Sequence, residues 1–100
     1  GYPRDGFSFS LKSTTKARDA YYKYVMEAVA ENATNGGLLV GCNFWGWGGY
    51  GKPRHERWQA GDDFTCDPAH EPQGFYSVFA SDKSTQKIIQ KQTKRMSEIK

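Results

Sequence analysis

From residue 13 to residue 35 the apolar positions recur at helical spacing. Ala17, Ala20, Tyr21, Tyr24, Val25, Ala28 and Val29 fall at i, i+3, i+4, i+7 and i+8 intervals, which predicts an amphipathic helix with one continuous buried stripe. Ser13, Thr14 or Thr15 can supply its N-cap, although no Glu or Gln stands at the capping-box position. Asn35-Gly36-Gly37 stops the helix, because glycine accepts the left-handed conformation that closes a helix end. The pattern then changes period. Leu38-Leu39-Val40-Gly41-Cys42-Asn43-Phe44 is a nearly continuous apolar run, the pattern of a strand covered on both faces in a parallel sheet. Residues 45–80 lose periodicity and become rich in Gly, Pro, Asp and aromatics. Loops this long are either functional or disordered, and Trp58, Phe64, Phe75, Tyr76 and Phe79 argue against disorder. A last helix is predicted over 81–97, with Ile88, Ile89 and Met96 inside and Asp82 or Ser84 as its cap. The first twelve residues, with Pro3, Gly6, Phe7 and Phe9, are irregular.

Helix, glycine turn and buried strand make an αβ unit, so the expected class is α/β. A buried strand needs neighbours, and these 100 residues offer no second convincing one. The chain also opens Gly1-Tyr2-Pro3 with no initiator Met and no signal peptide, so the expectation is a fragment cut from a longer protein. No run is long and apolar enough to span a bilayer.

Formal charge is +3, unevenly spread. Lys83, Lys87, Lys91, Lys94, Arg95 and Lys100 face Asp82 and Glu98, so the last twenty residues carry +4 and the rest −1. These lysines follow one face of the last helix and read as its solvated side, not as a nucleic-acid patch. Cys42 and Cys66 leave a disulfide and two free thiols both open, with Cys42 expected on a buried strand. Asn32-Ala33-Thr34 fits the glycosylation acceptor pattern, a triplet common by chance.

Candidate chemistry narrows quickly. Cys42, His55, Cys66 and His70 are 13, 11 and 4 residues apart, without the paired spacing of a zinc site, so no metal is expected. Neither cysteine has an activating setting for nucleophilic catalysis. The glycines near Trp45 lack the Lys-Ser/Thr of a phosphate loop. Glu56, Asp62, Asp63, Asp67 and Glu71 lie in the long loop. Of these, Asp62, Asp63 and Asp67 suit sugar-hydroxyl contacts or turns better than a catalytic pair, which needs rigid support, and each taken singly reads first as a solvated loop charge. What remains is aromatic. All three tryptophans lie between Trp45 and Trp58, and Phe44-Trp45-Gly46-Trp47-Gly48-Gly49 sets two of them between glycines at the end of the apolar run. Flat indole faces on a rigid base suit the apolar face of a pyranose, and they equally suit the cap of a core.

Gly1-Tyr2-Pro3-Arg4-Asp5, Asn43-Phe44-Trp45-Gly46-Trp47-Gly48-Gly49, Gly61-Asp62-Asp63, Asp67-Pro68 and Glu71-Pro72-Gln73-Gly74 together resemble the C-terminal end of β-mannanases of glycoside hydrolase family 5. The resemblance covers most of the chain in separated blocks of compatible spacing, and the last helix carries little of it. It implies a (β/α)8 TIM barrel of which residues 1–100 are the C-terminal quarter: helix 7 at 13–35, strand 8 at 38–44, the last βα loop at 45–80 and helix 8 at 81–97. It implies a secreted, periplasmic or cell-surface parent enzyme, a retaining endo-β-1,4-mannosidase, with no cofactor. Its nucleophilic Glu would lie two residues before Gly1 and its acid/base Glu further upstream, so no catalytic residue falls in this chain and the isolated chain should be inactive. Trp45 matches the family tryptophan that stacks on the sugar beside the scissile bond. Trp47 is a weaker match, and Arg4, His55 and Trp58 are cleft candidates by position. The implied partners are a β-mannan substrate and the rest of the barrel, or further copies of the chain covering its apolar faces. A non-catalytic carbohydrate-binding module using Trp45, Trp47 and Trp58 is the alternative, weakened by two helices where such modules are β-sandwiches.

Overall fold

The computed structural model describes residues 1–6 and 13–99; Phe7, Phe9 and Lys100 lie outside them. Two helices and two short parallel strands make the fold: α1 (Lys16–Thr34), β1 (Trp47–Gly49), β2 (Val78–Phe79) and α2 (Lys83–Ser97). The two helices pack side by side, and the strands lie at the two ends of the long excursion predicted as loop. Its middle thus serves as the crossover that a parallel pair requires.

Helix α1 begins and ends for different reasons. Thr15 is the N-cap residue, yet its hydroxyl turns to Asp19, and the first free amides are taken by Asp5 instead: Lys16 N–H donates to its carboxylate at 2.9 Å and Ala17 N–H at 3.4 Å. A carboxylate there satisfies orphan donors and opposes the helix dipole. The other end closes as a Schellman motif. Gly36 sits at φ +76°, its N–H donates to Ala33 O, and Gly37 N–H donates to Asn32 O at 2.8 Å.

The buried stripe of α1 is rotated from the expected one. Arg18, Tyr22, Met26, Val29 and Ala30 are inside, whereas Tyr21 and Tyr24 are exposed. Periodicity alone could not choose the face, because alanines and tyrosines mark one side while the other hides its identity behind an arginine. Tyr22, Met26 and Val78 form the core cluster, with Tyr2, Phe44, Ile88 and Ile89 packed against it.

Arg18 is fully buried because its guanidinium has partners there. It donates to Ser77 O at 2.8 Å and to Thr85 Oγ1 at 3.1 Å, and it pairs with Asp82 at 3.2 Å. Arg4 pairs with the same carboxylate oxygen at 2.8 Å. Burial by itself would raise the Asp82 carboxyl. The Arg4 hydrogen bond, the Phe79 N–H and the charges of Arg4 and Arg18 outweigh it and hold Asp82 below the usual range. Asp82 is also the N-cap residue of α2, so this charge cluster fixes where that helix starts. Lys83, Lys87, Lys91 and Lys94 are exposed on α2, as a solvated face requires.

The strand expected at 38–44 does not form. Leu38 is 98% exposed and Val40 75%, and Cys42 is exposed rather than buried. An apolar run becomes a strand only where another backbone completes its ladder, and among the described residues none lies beside it. The radius of gyration, 15.1 Å against about 13 Å for a compact domain of this length, records the same openness.

Candidate functional site

Trp45 and Trp47 lie where the irregular chain enters β1, each more than half exposed, at 57% and 53%. The backbone beneath them is held at several points. Tyr22 Oη donates to Trp45 O at 3.0 Å, Val78 N–H donates to Gly46 O at 2.8 Å, and Ala80 N–H donates to Gly49 O at 2.8 Å. Burial raises the Tyr22 hydroxyl pKa, so this donor keeps its proton at neutral pH. The intervening glycines are required by space. A Cβ on Gly46 would stand 3.0 Å from Cys66 Cβ, and one on Gly48 would stand 2.7 Å from the Phe79 ring. Gly1 also lies against this backbone, since a Cβ there would stand 3.3 Å from Trp45 Cβ.

A second layer of polar bonds shapes the segment that carries Cys66. Asp67 accepts from Gly74 N–H (2.7 Å), Tyr76 N–H (3.1 Å) and Ser77 Oγ (2.7 Å), and Ser77 Oγ accepts from Cys66 N–H at 3.1 Å. Buried Gln73 donates to Pro68 O at 2.8 Å and accepts from Thr65 Oγ1 at 2.8 Å. Of the roles open to Asp67 in the sequence, the structure shows the turn-former. Burial pushes the Cys66 thiol up despite the Ser77 bond, so it rests beneath Gly46 as a neutral group.

The other expected site residues separate. Arg4 is buried, with its guanidinium on Asp82, Gly74 O and Ser77 O. The structure thus gives it an interior structural tie. The reason is that Asp82, 78 residues away, returns to the chain's N-terminal segment, which spacing could not reveal. His55 and Trp58 stay together in the excursion, both bonded to Asp62: His55 Nδ1 to its carboxylate at 2.8 Å and Trp58 Nε1–H to its carbonyl at 3.2 Å. The His55 bond is the main reason the Asp62 carboxyl lies below its ordinary pKa. Phe64, absent from the expected set, stacks on Trp58 at 5.5 Å with 9° between planes. Its one signal was an aromatic in a polar loop. Among the described residues no three His, Cys, Asp or Glu side chains are placed to hold a metal ion, and no helix is long and apolar enough to cross a membrane.

Two solvent-facing indoles on a pinned, glycine-spaced backbone, beside a loop that carries more aromatics, can present flat apolar faces to a ring-shaped ligand. Comparison with known proteins gives this surface a class. The family described as "GH family 5 beta-mannosidase-like" matches residues 1–100, and the chain belongs to that family of glycoside hydrolases. Among solved structures it is similar to the glycoside hydrolase family 5 mannosidase from Rhizomucor miehei, at 30% identity and TM-score 0.75 over 89% of this chain and 21% of that one. A Glu-to-Ala mutant of a mannosidase of this family from the same organism matches at 31% identity and TM-score 0.73, over 87% and 20%. A second such mutant, in complex with mannosyl-fructose, matches at 30% identity and TM-score 0.70, over 89% and 22%. No curated protein matches. The chain therefore spans about a fifth of the solved structures it resembles, TIM-barrel enzymes matched over a small part of their length.

Proposed function

We propose that this chain is the C-terminal quarter of the catalytic barrel of a retaining glycoside hydrolase that cleaves β-1,4-mannosidic bonds within mannan chains. In this reading α1 is the seventh barrel helix and α2 the eighth, and 38–44 becomes the eighth strand once upstream strands flank it. The exposed side chains of Leu38, Leu39 and Val40 support this, because a barrel strand of that composition is covered on both faces. Trp45 is the sugar platform at the strand's C-terminal end, where such barrels place their chemistry, and Trp47 extends it. His55 and Trp58 belong to the loop that shapes the cleft.

The observation that carries the proposal is the contact of Gly1 with Trp45. A nucleophilic Glu two residues before Gly1 lies within about 7 Å of chain from that contact. It is thus near the sugar that Trp45 stacks on. Stacking would hold the ring while it distorts toward the oxocarbenium-like transition state, and a second, upstream Glu would serve as acid and then base. The rest of the barrel is the natural cover for the exposed apolar faces, and copies of the chain would take its place in isolation. A polysaccharide substrate implies an exported parent enzyme.

A second reading, exo-acting removal of mannose from short β-mannosides, is favoured by the mannosidase names of the solved relatives. Product analysis separates the two. The intact parent protein acting on mannan should release a ladder of short oligosaccharides under the first reading and mannose alone under the second. Absence of any reducing-sugar release would remove both. The isolated chain should release none, and turnover surviving rigorous purification would contradict the placement of both glutamates upstream.

A further inference from the structure

The excursion between β1 and β2 carries an aromatic surface separate from the Trp45–Trp47 platform, and its parts converge on Asp62. The Asp62 carboxylate accepts from Gln59 N–H at 3.0 Å and holds His55 Nδ1 at 2.8 Å, while the Asp62 carbonyl accepts the Trp58 indole N–H at 3.2 Å. One residue therefore fixes both an imidazole and an indole. Phe64 completes the group by stacking on Trp58 while the residue stays 79% exposed. The Phe64 backbone is equally fixed. A Cβ on Gly51 would stand 2.3 Å from Phe64 O, and Lys52 N–H donates to the Asp63 carboxylate at 3.0 Å. These contacts tie the loop to the turn that follows β1, closed by Gly51 N–H on Gly48 O. The second surface is thus continuous through the backbone with the tryptophan platform.

A large ring held in the open by a stacked indole and a pinned backbone loses little freedom when a ligand covers it. With Nδ1 committed to Asp62, His55 offers a ligand its Nε2, and nearly half of the side chain is exposed. A flat apolar face beside one fixed hydrogen-bonding edge suits a neutral pyranose, which has an apolar face and a rim of hydroxyls. We infer that Phe64 and His55 form an outer subsite for a further hexopyranose unit of the polysaccharide, with Phe64 stacking on the ring and His55 Nε2 meeting a hydroxyl. Trp58 and Asp62 are positioning residues for it. The inference rests on the glycosidase reading of the tryptophan platform, and it makes the enzyme sensitive to substrate length.

The test uses the intact parent protein with β-1,4-mannohexaose and β-1,4-mannotriose. Phe64→Ala should lower the ratio of kcat/KM for the longer over the shorter substrate about fivefold. His55→Ala should lower it about threefold through the lost hydrogen bond. An unchanged ratio in both variants overturns the subsite. A binding readout separates this from the reaction itself. Mannohexaose should shift the Trp58 indole N–H resonance, and Phe64→Ala should abolish that shift. If the shift appears where no hydrolysis of mannan occurs, the subsite stands and the proposed reaction falls. A resonance that does not move with mannohexaose in the unmutated protein overturns the subsite.

Discussion

The interior between α1 and β2 and the apolar segment 38–44 obey opposite rules. Between α1 and β2 lie two arginines and an aspartate, the groups least suited to burial, yet Arg4 and Arg18 are buried and the Asp82 side chain is only 12% exposed, because each finds its partners within the chain. In 38–44 lie leucines and a valine, the groups best suited to burial, and they stand in solvent because their backbone finds no ladder. Burial here follows where the partner is and not how apolar the residue is. A polar cluster closes on itself, whereas an apolar run becomes a strand only beside a second backbone.

Substitutions can break this comparison. The largest effect should come from Val40→Asp in the intact parent protein: with 38–44 a barrel strand, as proposed, a carboxylate there should cost about 4 kcal/mol of unfolding free energy. Chemical denaturation measures it, and a cost below about 0.5 kcal/mol, the range of surface changes, would mean that the segment stays exposed. Arg18→Met should cost about 3 kcal/mol, because Ser77 O and Thr85 lose a donor in a dry site. Adding Arg4→Met should then cost more than the sum of the single changes, since Asp82 loses its last cation.

Gly51→Ala should cost about 2 kcal/mol, because Phe64 O stands where the methyl would go and must move with its loop. Acid provides a milder probe. The folded Asp82 carboxyl lies below the ordinary aspartate value of about 3.9, so its contribution to stability is complete above that pH and is lost as pH falls through the lower folded value. Stability should therefore drop below about pH 4, and Asp82→Asn should flatten that part of the profile. Tyr22→Phe should have the smallest effect, about 1 kcal/mol for the bond to Trp45 O.

Local features were legible in the chain. The helices begin and end within a few residues of their predicted limits, since glycine stops and spacing act over one or two turns. The stacked loop and the tryptophans between glycines were visible too, as aromatics too numerous for a disordered segment. What escaped depended on distance along the chain. Asp5 capping α1, Arg4 meeting Asp82 and Asp67 reaching Ser77 leave no periodic trace. The composition of 38–44 predicts a strand, but a strand is a property of two backbones. For Arg4, only the fold reveals the carboxylate that it meets in the interior.

The central claim is that Trp45 is the sugar platform of a mannoside-cleaving barrel, and Trp45→Ala in the intact parent protein tests it most directly. The ring is more than half exposed, so its loss should leave the unfolding midpoint within a few degrees. The account predicts a fall of about a hundredfold in kcat/KM on mannan. Undiminished turnover in a normally folded Trp45→Ala protein would contradict it.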